Sequence, residues 1–129
     1  MLIDSGPLLS LVDRRQSMHG PCTDFLRGAP LPLVSTWPCL TEAMYLAGKA
    51  GGYNAQGLIW EYLEKGVIKL HQHDEDDTLM MSKLMYQYRN VPMDLADASL
   101  VAAAQSGGSD RFSPWTTIFG FTTSLTEGC

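Results

Sequence analysis

Short apolar segments alternate with helical segments along this sequence. This pattern predicts an α/β fold, namely a three-layer α/β/α sandwich around a small, mostly parallel sheet. The chain has 129 residues, which is the size of one domain. Hydrophobic residues make up 45% and charged residues 18%, a composition typical of globular proteins and not of disordered chains. We therefore expect a single domain over residues 1–129.

The first part of the chain carries two strand signals that flank two helix signals. Met1–Ile3 is a short apolar run that ends at Asp4, as expected of a buried strand. Glycine and proline residues then mark the turns. The elements predicted here are a strand at Met1–Ile3, a turn at Ser5–Pro7, a helix from Leu8 to about Asp13, a helix from about Ser17 to Arg27 and a strand at Leu31–Ser35.

The remainder of the chain is mainly helical in pattern. Thr36 is a favourable N-cap, and Pro38 stands near the first helical position, where its missing N–H has no cost. The elements predicted here are a helix from Thr36 to Gly51–Gly52, a helix at Ala55–Lys65, a strand at Val67–Leu70, a helix capped by Asp76 or Asp77 and a helix at Asp94–Gln105.

The charge balance narrows the classes of function. Nine Lys and Arg residues face fourteen Asp and Glu residues, a formal net charge of −5. This excludes a nucleic-acid binder held mainly by phosphate neutralisation and leaves open an enzyme that works through carboxylates. No apolar run approaches the roughly 20 residues of a membrane-spanning helix, and the first residues lack the basic leader of a signal peptide. We expect a cytoplasmic protein with no membrane partner.

Three acids interrupt apolar patterns. Asp4 ends the first predicted strand, at the edge of a parallel sheet where ligands gather. Glu42 and Asp97 have apolar neighbours at helical spacing, which predicts that both point into the core. A buried carboxylate is protonated, paired or bound to a cation, and no Lys or Arg at helical spacing neutralises these, apart from Lys49. Mg²⁺ or Mn²⁺ would satisfy all three acids.

Each acid also has an ordinary structural interpretation. Asp94 could be the N-cap of the last helix, with Asp97 in a capping-box role. Glu42 could be a first-turn helix acid, and Asp4 could start a turn. The run from His71 to Asp77 has the composition of a metal cluster, but we interpret it as a solvated loop with a helix cap.

Three blocks of the sequence resemble the PIN domain family. They are LIDSGPL at 2–8, STWPCLTEA at 35–43 and DLADASLVA at 94–102, in the order and at the spacing of that family. The resemblance covers about residues 1–110 and leaves residues 111–129 as an atypical tail. Among PIN domains, the small single-domain form is similar to the VapC-type toxin ribonucleases of toxin–antitoxin systems.

This resemblance implies a function and a set of site residues. It implies Mg²⁺- or Mn²⁺-dependent cleavage of RNA, a homodimer and inhibition by an antitoxin protein. Asp4, Glu42 and Asp97 match the catalytic, metal-binding acids, Asp94 matches an accessory metal-binding acid, and Ser5 matches a small hydroxyl residue beside the first acid. Basic residues that could follow the RNA backbone are Arg14, Arg15, Arg27, Lys49 and Lys83.

The tail departs from the family pattern, which continues with a strand and a fourth acid. Residues 111–119 read RFSPWTTIF and contain no acid. In a reading frame shifted by two bases, Trp115 followed by Thr116 must give GAC, an Asp codon, because Trp has one codon and every Thr codon begins AC. We hypothesise that the tail after about Arg111 is frameshifted; the alternative is a divergent tail.

Loss of the fourth carboxylate predicts weaker cation binding and weakened ribonuclease activity. It also leaves a second interpretation open, in which the chain is a catalytically silent PIN-like module. Such a module would act by binding an antitoxin or a second copy of itself.

Overall fold

The structure, a computed structural model, describes residues 1–91 and 93–107. Five helices and two strands lie within these residues. In chain order they are α1 (Ser5–Val12), α2 (His19–Gly28), β1 (Leu33–Ser35), α3 (Trp37–Glu64), β2 (Ile68–Leu70), α4 (Glu75–Gln87) and α5 (Leu95–Gly107). The predicted alternation of strand and helix is confirmed, and the predicted tail lies outside the described residues.

The sheet is small and parallel. β1 pairs with β2 in the register Leu33↔Ile68, and Leu2 forms a parallel bridge with Val34 on the other side of β1. The predicted first strand is therefore wrong in extent, because Met1–Ile3 forms a single bridge. Its pairing rests on two hydrogen bonds, from the Ile3 N–H to the Val34 carbonyl (2.8 Å) and from the Val34 N–H to the Met1 carbonyl (2.7 Å).

Helix α1 begins earlier than the sequence pattern predicts. Asp4 is its N-cap and accepts a hydrogen bond from the Ser5 N–H. Ser5–Pro7, predicted as a turn, is instead the first turn of the helix. Pro7 is tolerated there because the first N–H groups of a helix have no partner within the helix. The end of the helix at Val12 agrees with the prediction.

Helix α3 is bent at the glycine pair that was predicted to separate two helices. Gly52 has φ 64° and ψ −154°, a backbone conformation that residues with a Cβ rarely adopt. The chain changes direction at that residue and remains helical on both sides. Thr36 is the N-cap and Pro38 lies in the first turn, as predicted.

Both faces of the sheet are covered by helices, which makes the fold three-layered. Leu2 and Ile3, adjacent in sequence, belong to two different core clusters, because successive residues of an extended chain point to opposite faces. Residues of α1, α2 and α3 form most of the cluster around Ile3. Residues of α5 pack with Leu2 and Val34 on the opposite face. The predicted fold class is confirmed.

The N-cap of helix α4 lies two residues before the first of the two predicted caps, Asp76. Its N-cap is Asp74, which forms a reciprocal capping box with Asp77, and Asp76 has no capping role. Asp74 is favoured because the box uses both carboxylates to bind two otherwise unpaired N–H groups. Within the described residues, no helix is both long and apolar enough to cross a bilayer.

Candidate metal-binding cleft

Asp4, Ser5 and Glu42 are joined by direct hydrogen bonds. Asp4 comes immediately after the bridge residues and caps α1, so its carboxylate lies at the carboxyl edge of the sheet. The Ser5 N–H donates to Asp4 Oδ1 (2.6 Å), and the buried Ser5 hydroxyl donates to Glu42 Oε1. Ser5 therefore holds an acid of α1 and an acid of α3 on either side of one small residue.

The thiol of Cys39 connects Asp4 to helix α5. Cys39 Sγ lies 3.4 Å from Asp4 Oδ1 and 3.7 Å from the Ala96 carbonyl oxygen. Burial raises the pKa of this thiol to about 12, and the charge of Asp4 acts in the same direction. The thiol is therefore protonated at neutral pH and can donate to one of these oxygens. The sequence pattern placed Cys39 in the core and gave no sign of this contact.

A buried chain of hydroxyl groups fixes the first turn of α3 against the first turn of α5. The Ser99 hydroxyl donates to the Ala96 carbonyl (2.7 Å), so the 2.6 Å contact between Thr36 Oγ1 and Ser99 Oγ uses the Thr36 proton. Thr36 Oγ1 in turn accepts from the Cys39 N–H (3.4 Å). The side chains of Thr36, Cys39 and Ser99 are fully buried. This chain fixes the start of α3, the helix that carries Glu42, against the start of α5, the helix that carries Asp97.

Asp94 and Asp97 form a reciprocal pair at the start of α5. The Asp97 N–H donates to Asp94 Oδ1 (2.8 Å), and the Asp94 N–H donates to Asp97 Oδ2 (3.2 Å). These bonds have the pattern of a capping box. Burial, together with the nearby charges of Asp94 and Asp4, raises the pKa of Asp97 to about 6. Asp97 is therefore close enough to Asp4 for their charges to repel.

Glu42 and Asp94 line one open cleft of about 630 Å³. Glu42 is exposed, so the prediction that it points into the core is wrong. Its apolar neighbours line the cleft and are partly open to solvent, which helical spacing alone cannot distinguish from a buried face. Trp37 and Tyr45 stand in the wall of the same cleft, 49% and 63% exposed.

No cationic side chain pairs with Asp4, Glu42, Asp94 or Asp97 in the part of the chain that the structure describes. The ion pairs there involve other acids, namely Asp13, Asp24, Glu61 and Asp77. The donors that reach Asp4, Glu42, Asp94 and Asp97 are hydroxyl, thiol and backbone groups. Unneutralised carboxylate oxygens are the ligand type that a hard divalent cation such as Mg²⁺ or Mn²⁺ prefers. Among the described residues, however, these four acids do not form a group whose ligand atoms converge as those of a bound metal would.

The predicted basic contacts do not lie together. Lys49 is exposed, with Nζ 5.3 Å from the centre of the Tyr45 ring, next to the cleft. Arg14 and Arg15 line a different pocket, and Arg15 is bound to Asp13 (3.2 Å) and to the Ala50 carbonyl. Arg27 is paired with Asp24 on the surface.

The segment from His71 to Asp77 also lies at the carboxyl edge of the sheet, directly after β2. A helix cap is present, at Asp74 and not at the predicted Asp76 or Asp77. The description of a solvated loop holds for Gln72, Asp74, Glu75 and Asp76, which are exposed, and is wrong for Asp77. Asp77 is only 5% exposed, and His71 Nε2 lies 3.0 Å from Asp77 Oδ2. Among the described residues, His71, His73 and Asp77 are the group whose potential ligand atoms converge, all within 4.8 Å of one another.

Sequence reasoning missed the aromatic wall of the cleft. Trp37 follows an N-cap and Tyr45 stands two turns later, and both positions are compatible with a buried helix face. The place of the missing fourth acid, residues 111–119, and the tail after about Arg111 that the frameshift hypothesis concerns lie outside the described part of the chain.

Comparison with known proteins identifies the fold. No protein-family model matches the chain, and none of the curated proteins matches it in sequence. Among solved structures, it is similar to VapC20 of Mycobacterium tuberculosis, a Sarcin-Ricin loop cleaving toxin. The TM-score is 0.75 and the identity 14%, with 83% of this chain and 82% of that chain covered. The chain therefore has a VapC-type PIN fold.

Proposed function

We propose that this protein is a divalent-metal-dependent endoribonuclease and the toxin component of a toxin–antitoxin pair. The observation that carries the proposal is that Ser5 bonds to both Asp4 and Glu42 while the charge of Asp4 acts on Asp97, with no cationic side chain paired to these acids among the described residues. The VapC-type fold supports it, because the similar VapC20 is itself named as a toxin that cleaves an RNA loop.

In this proposal each acid has a defined part. Asp4, Glu42 and Asp97 hold Mg²⁺ or Mn²⁺ as catalytic residues, and Asp94 contributes from the same helix start. A bound divalent cation supplies a water of lowered pKa and positive charge at the scissile phosphate. Ser5 orients the Glu42 carboxylate through its hydroxyl and the Asp4 carboxylate through its N–H. The protonated Cys39 thiol faces Asp4 and adds no negative charge there.

The walls of the cleft fit single-stranded RNA. Trp37 and Tyr45 present exposed rings beside Glu42, and unpaired bases stack on such rings in single-stranded complexes. Lys49 lies near Tyr45 and offers a charge for the backbone, whereas Arg15 is already bound to the protein. The substrate class is therefore an unpaired RNA segment such as a loop, and a sarcin–ricin loop RNA is the first substrate to test.

The setting of this activity follows from the same proposal. The catalytic unit comprises about residues 1–110 of a single domain, acts in the cytoplasm where its RNA substrates are, and is inhibited by an antitoxin protein. A homodimer and weakened activity caused by the missing fourth acid stay predictions.

The direct test is RNA cleavage by the purified chain. We expect Mn²⁺-dependent cleavage of a sarcin–ricin loop RNA or another looped RNA, abolished by a chelator. Asp4→Asn should reduce the rate at least about a hundredfold, because a metal-ligand contribution of several kcal/mol is lost. The matched control is Asp24→Asn, since Asp24 is a surface acid paired only with Arg27.

Two outcomes would count against the nuclease. Equal cleavage by the wild type and Asp4→Asn would show that the activity comes from elsewhere. No Mn²⁺-dependent cleavage by a folded wild type would favour the second candidate, a catalytically silent PIN-like module that binds a partner. That candidate has its own support in the absence of a fourth acid from residues 111–119.

A further inference from the structure

A second group of potential metal ligands lies outside the cleft that Glu42 and Asp94 line. His71 and His73 follow the last residue of β2, and Asp77 is in the first turn of α4. One ligand atom from each of the three residues lies within 4.8 Å of the other two. The Asp77 carboxylate is nearly fully buried and His71 is 17% exposed, so the group is partly shielded from water.

The pair formed by His71 and Asp77 has a spacing close to that of two ligands on one ion. His71 Nε2 and Asp77 Oδ2 are 3.0 Å apart. Tetrahedral ligands at zinc, each about 2.0–2.1 Å from the metal, stand roughly 3.3 Å apart. An ion could therefore replace the hydrogen bond with a small change of position. Ser106 Oγ is 3.1 Å from the same nitrogen, on helix α5.

His73 is held in the tautomer that a metal ligand requires. Its Nε2 lies 3.1 Å from the Ser99 carbonyl oxygen. A carbonyl can only accept, so Nε2 carries the proton, and in the neutral ring Nδ1 keeps its lone pair. A histidine that binds zinc through one ring nitrogen usually donates a hydrogen bond from the other ring nitrogen, often to a backbone carbonyl. In the described residues no hydrogen bond uses His73 Nδ1.

We propose that His71, His73 and Asp77 form a zinc site, with the fourth position taken by water or the Ser106 hydroxyl. Two imidazoles and one carboxylate favour Zn²⁺ over the hard cations that suit the acidic cleft. The site connects the end of β2, the start of α4 and, through Ser99 and Ser106, helix α5. It is independent of the proposed ribonuclease activity.

The proposal is tested by titrating Zn²⁺ into the full, metal-free chain in a calorimeter. We expect one Zn²⁺ per chain and a rise in Tm. His73→Gln should weaken binding at least about tenfold and remove the rise in Tm. His19→Gln is the matched control, because His19 bonds to the Ser10 carbonyl and lies outside the group. Asp4→Asn should bind Zn²⁺ as the wild type does, which separates this site from the cleft.

A second measurement needs no variant. Zn²⁺ should shift the imidazole NMR signals of His71 and His73 and leave those of His19 unchanged. The proposal is overturned if the wild type binds no Zn²⁺, if binding is lost in Asp4→Asn but kept in His73→Gln, or if the signals of His71 and His73 do not move.

Discussion

Two groups of acidic side chains lie at the same edge of the sheet and are stabilised in opposite ways. In the histidine cluster, made of His71, His73 and Asp77, the Asp77 carboxylate is bonded to His71 Nε2, the Asp74 N–H and the Ser106 hydroxyl. In the acidic group, made of Asp4, Glu42, Asp94 and Asp97, the carboxylates receive only neutral donors among the described residues. Helix α5 contributes to both, with Asp97 in the acidic group and Ser99 and Ser106 bonded to the histidine cluster.

The pKa directions express this difference. Burial raises the pKa of Asp77, but the hydrogen bonds from His71 and the Asp74 N–H outweigh burial, so the pKa is below its ordinary value. For Asp97, burial and the charges of Asp94 and Asp4 outweigh the one favourable backbone bond, and the pKa is raised to about 6. The charge of Asp77 is thus stabilised by partners within the chain, whereas the charge of Asp97 would be stabilised by a bound cation.

The largest expected difference between the two groups is in catalysis. Asp97→Asn keeps an oxygen for the Asp94 N–H and removes a metal-binding charge, so RNA cleavage should fall at least about a hundredfold. Asp77→Asn should reduce cleavage only by the fraction of protein that it unfolds. The comparison needs initial rates at saturating Mn²⁺, corrected for folded protein by circular dichroism. Similar losses in folded variants would contradict the separation of the two groups.

The second expected difference is in stability, and here a substitution in the histidine cluster should have the larger effect. Asp77→Ala removes the capping box and the carboxylate partner of the partly buried His71, which should lower the free energy of unfolding by about 2–3 kcal/mol. Asp94→Ala removes the corresponding bonds from an exposed pair and should cost about 1 kcal/mol. Urea denaturation of both variants measures the two values. Equal costs would show that burial at the cluster adds nothing.

The third difference concerns exposed aromatic rings. Trp37→Ala should raise the KM for a looped RNA about tenfold, because stacking of one base contributes about 1–3 kcal/mol. Tyr86 is the matched control, since it is 69% exposed on α4, away from the cleft residues. Tyr86→Ala should leave KM unchanged. An equal rise in both variants would exclude Trp37 as a stacking surface.

The sequence predicted the layers of this fold because local signals and packing agree there. Thr36 and Pro38 start α3 as expected, and Gly52 bends it where a break was predicted. Asp4, Glu42 and Asp97 could be selected from the sequence as unusual acids. Their exposure could not, because helical spacing shows which residues share a face and not whether another element covers it.

The contacts across the chain were beyond prediction. The Ser5–Glu42 bond joins residues 37 positions apart, and the His73–Ser99 bond joins residues 26 positions apart. Such bonds depend on how the helices pack, and the composition of the short segment from His71 to Asp77 does not predict that packing. For that reason the run from His71 to Asp77 was interpreted as solvated although Asp77 is buried.

The smallest expected effect is the pH dependence of stability that Asp97 contributes, which has the opposite sign to the one expected from the lowered pKa of Asp77. Because the pKa of Asp97 is about 6 in the folded chain against an ordinary value of 3.8, the folded chain binds this proton more tightly than the unfolded chain does. The resulting stabilisation is complete below the unfolded pKa and is lost as the pH rises through about 6. In the absence of divalent cations, Asp97→Asn should remove this loss.

The measurement is the free energy of unfolding of wild type and variant in urea, between about pH 4 and about pH 7. The wild type should lose stability relative to Asp97→Asn as the pH rises, and Asp24→Asn should show no such difference because Asp24 is on the surface. Mn²⁺ should reduce the difference, since a cation favours the ionised carboxylate. Parallel curves for wild type and Asp97→Asn would mean that Asp97 does not feel the other acids of the cleft, and its part in a shared metal site would then lack electrostatic support.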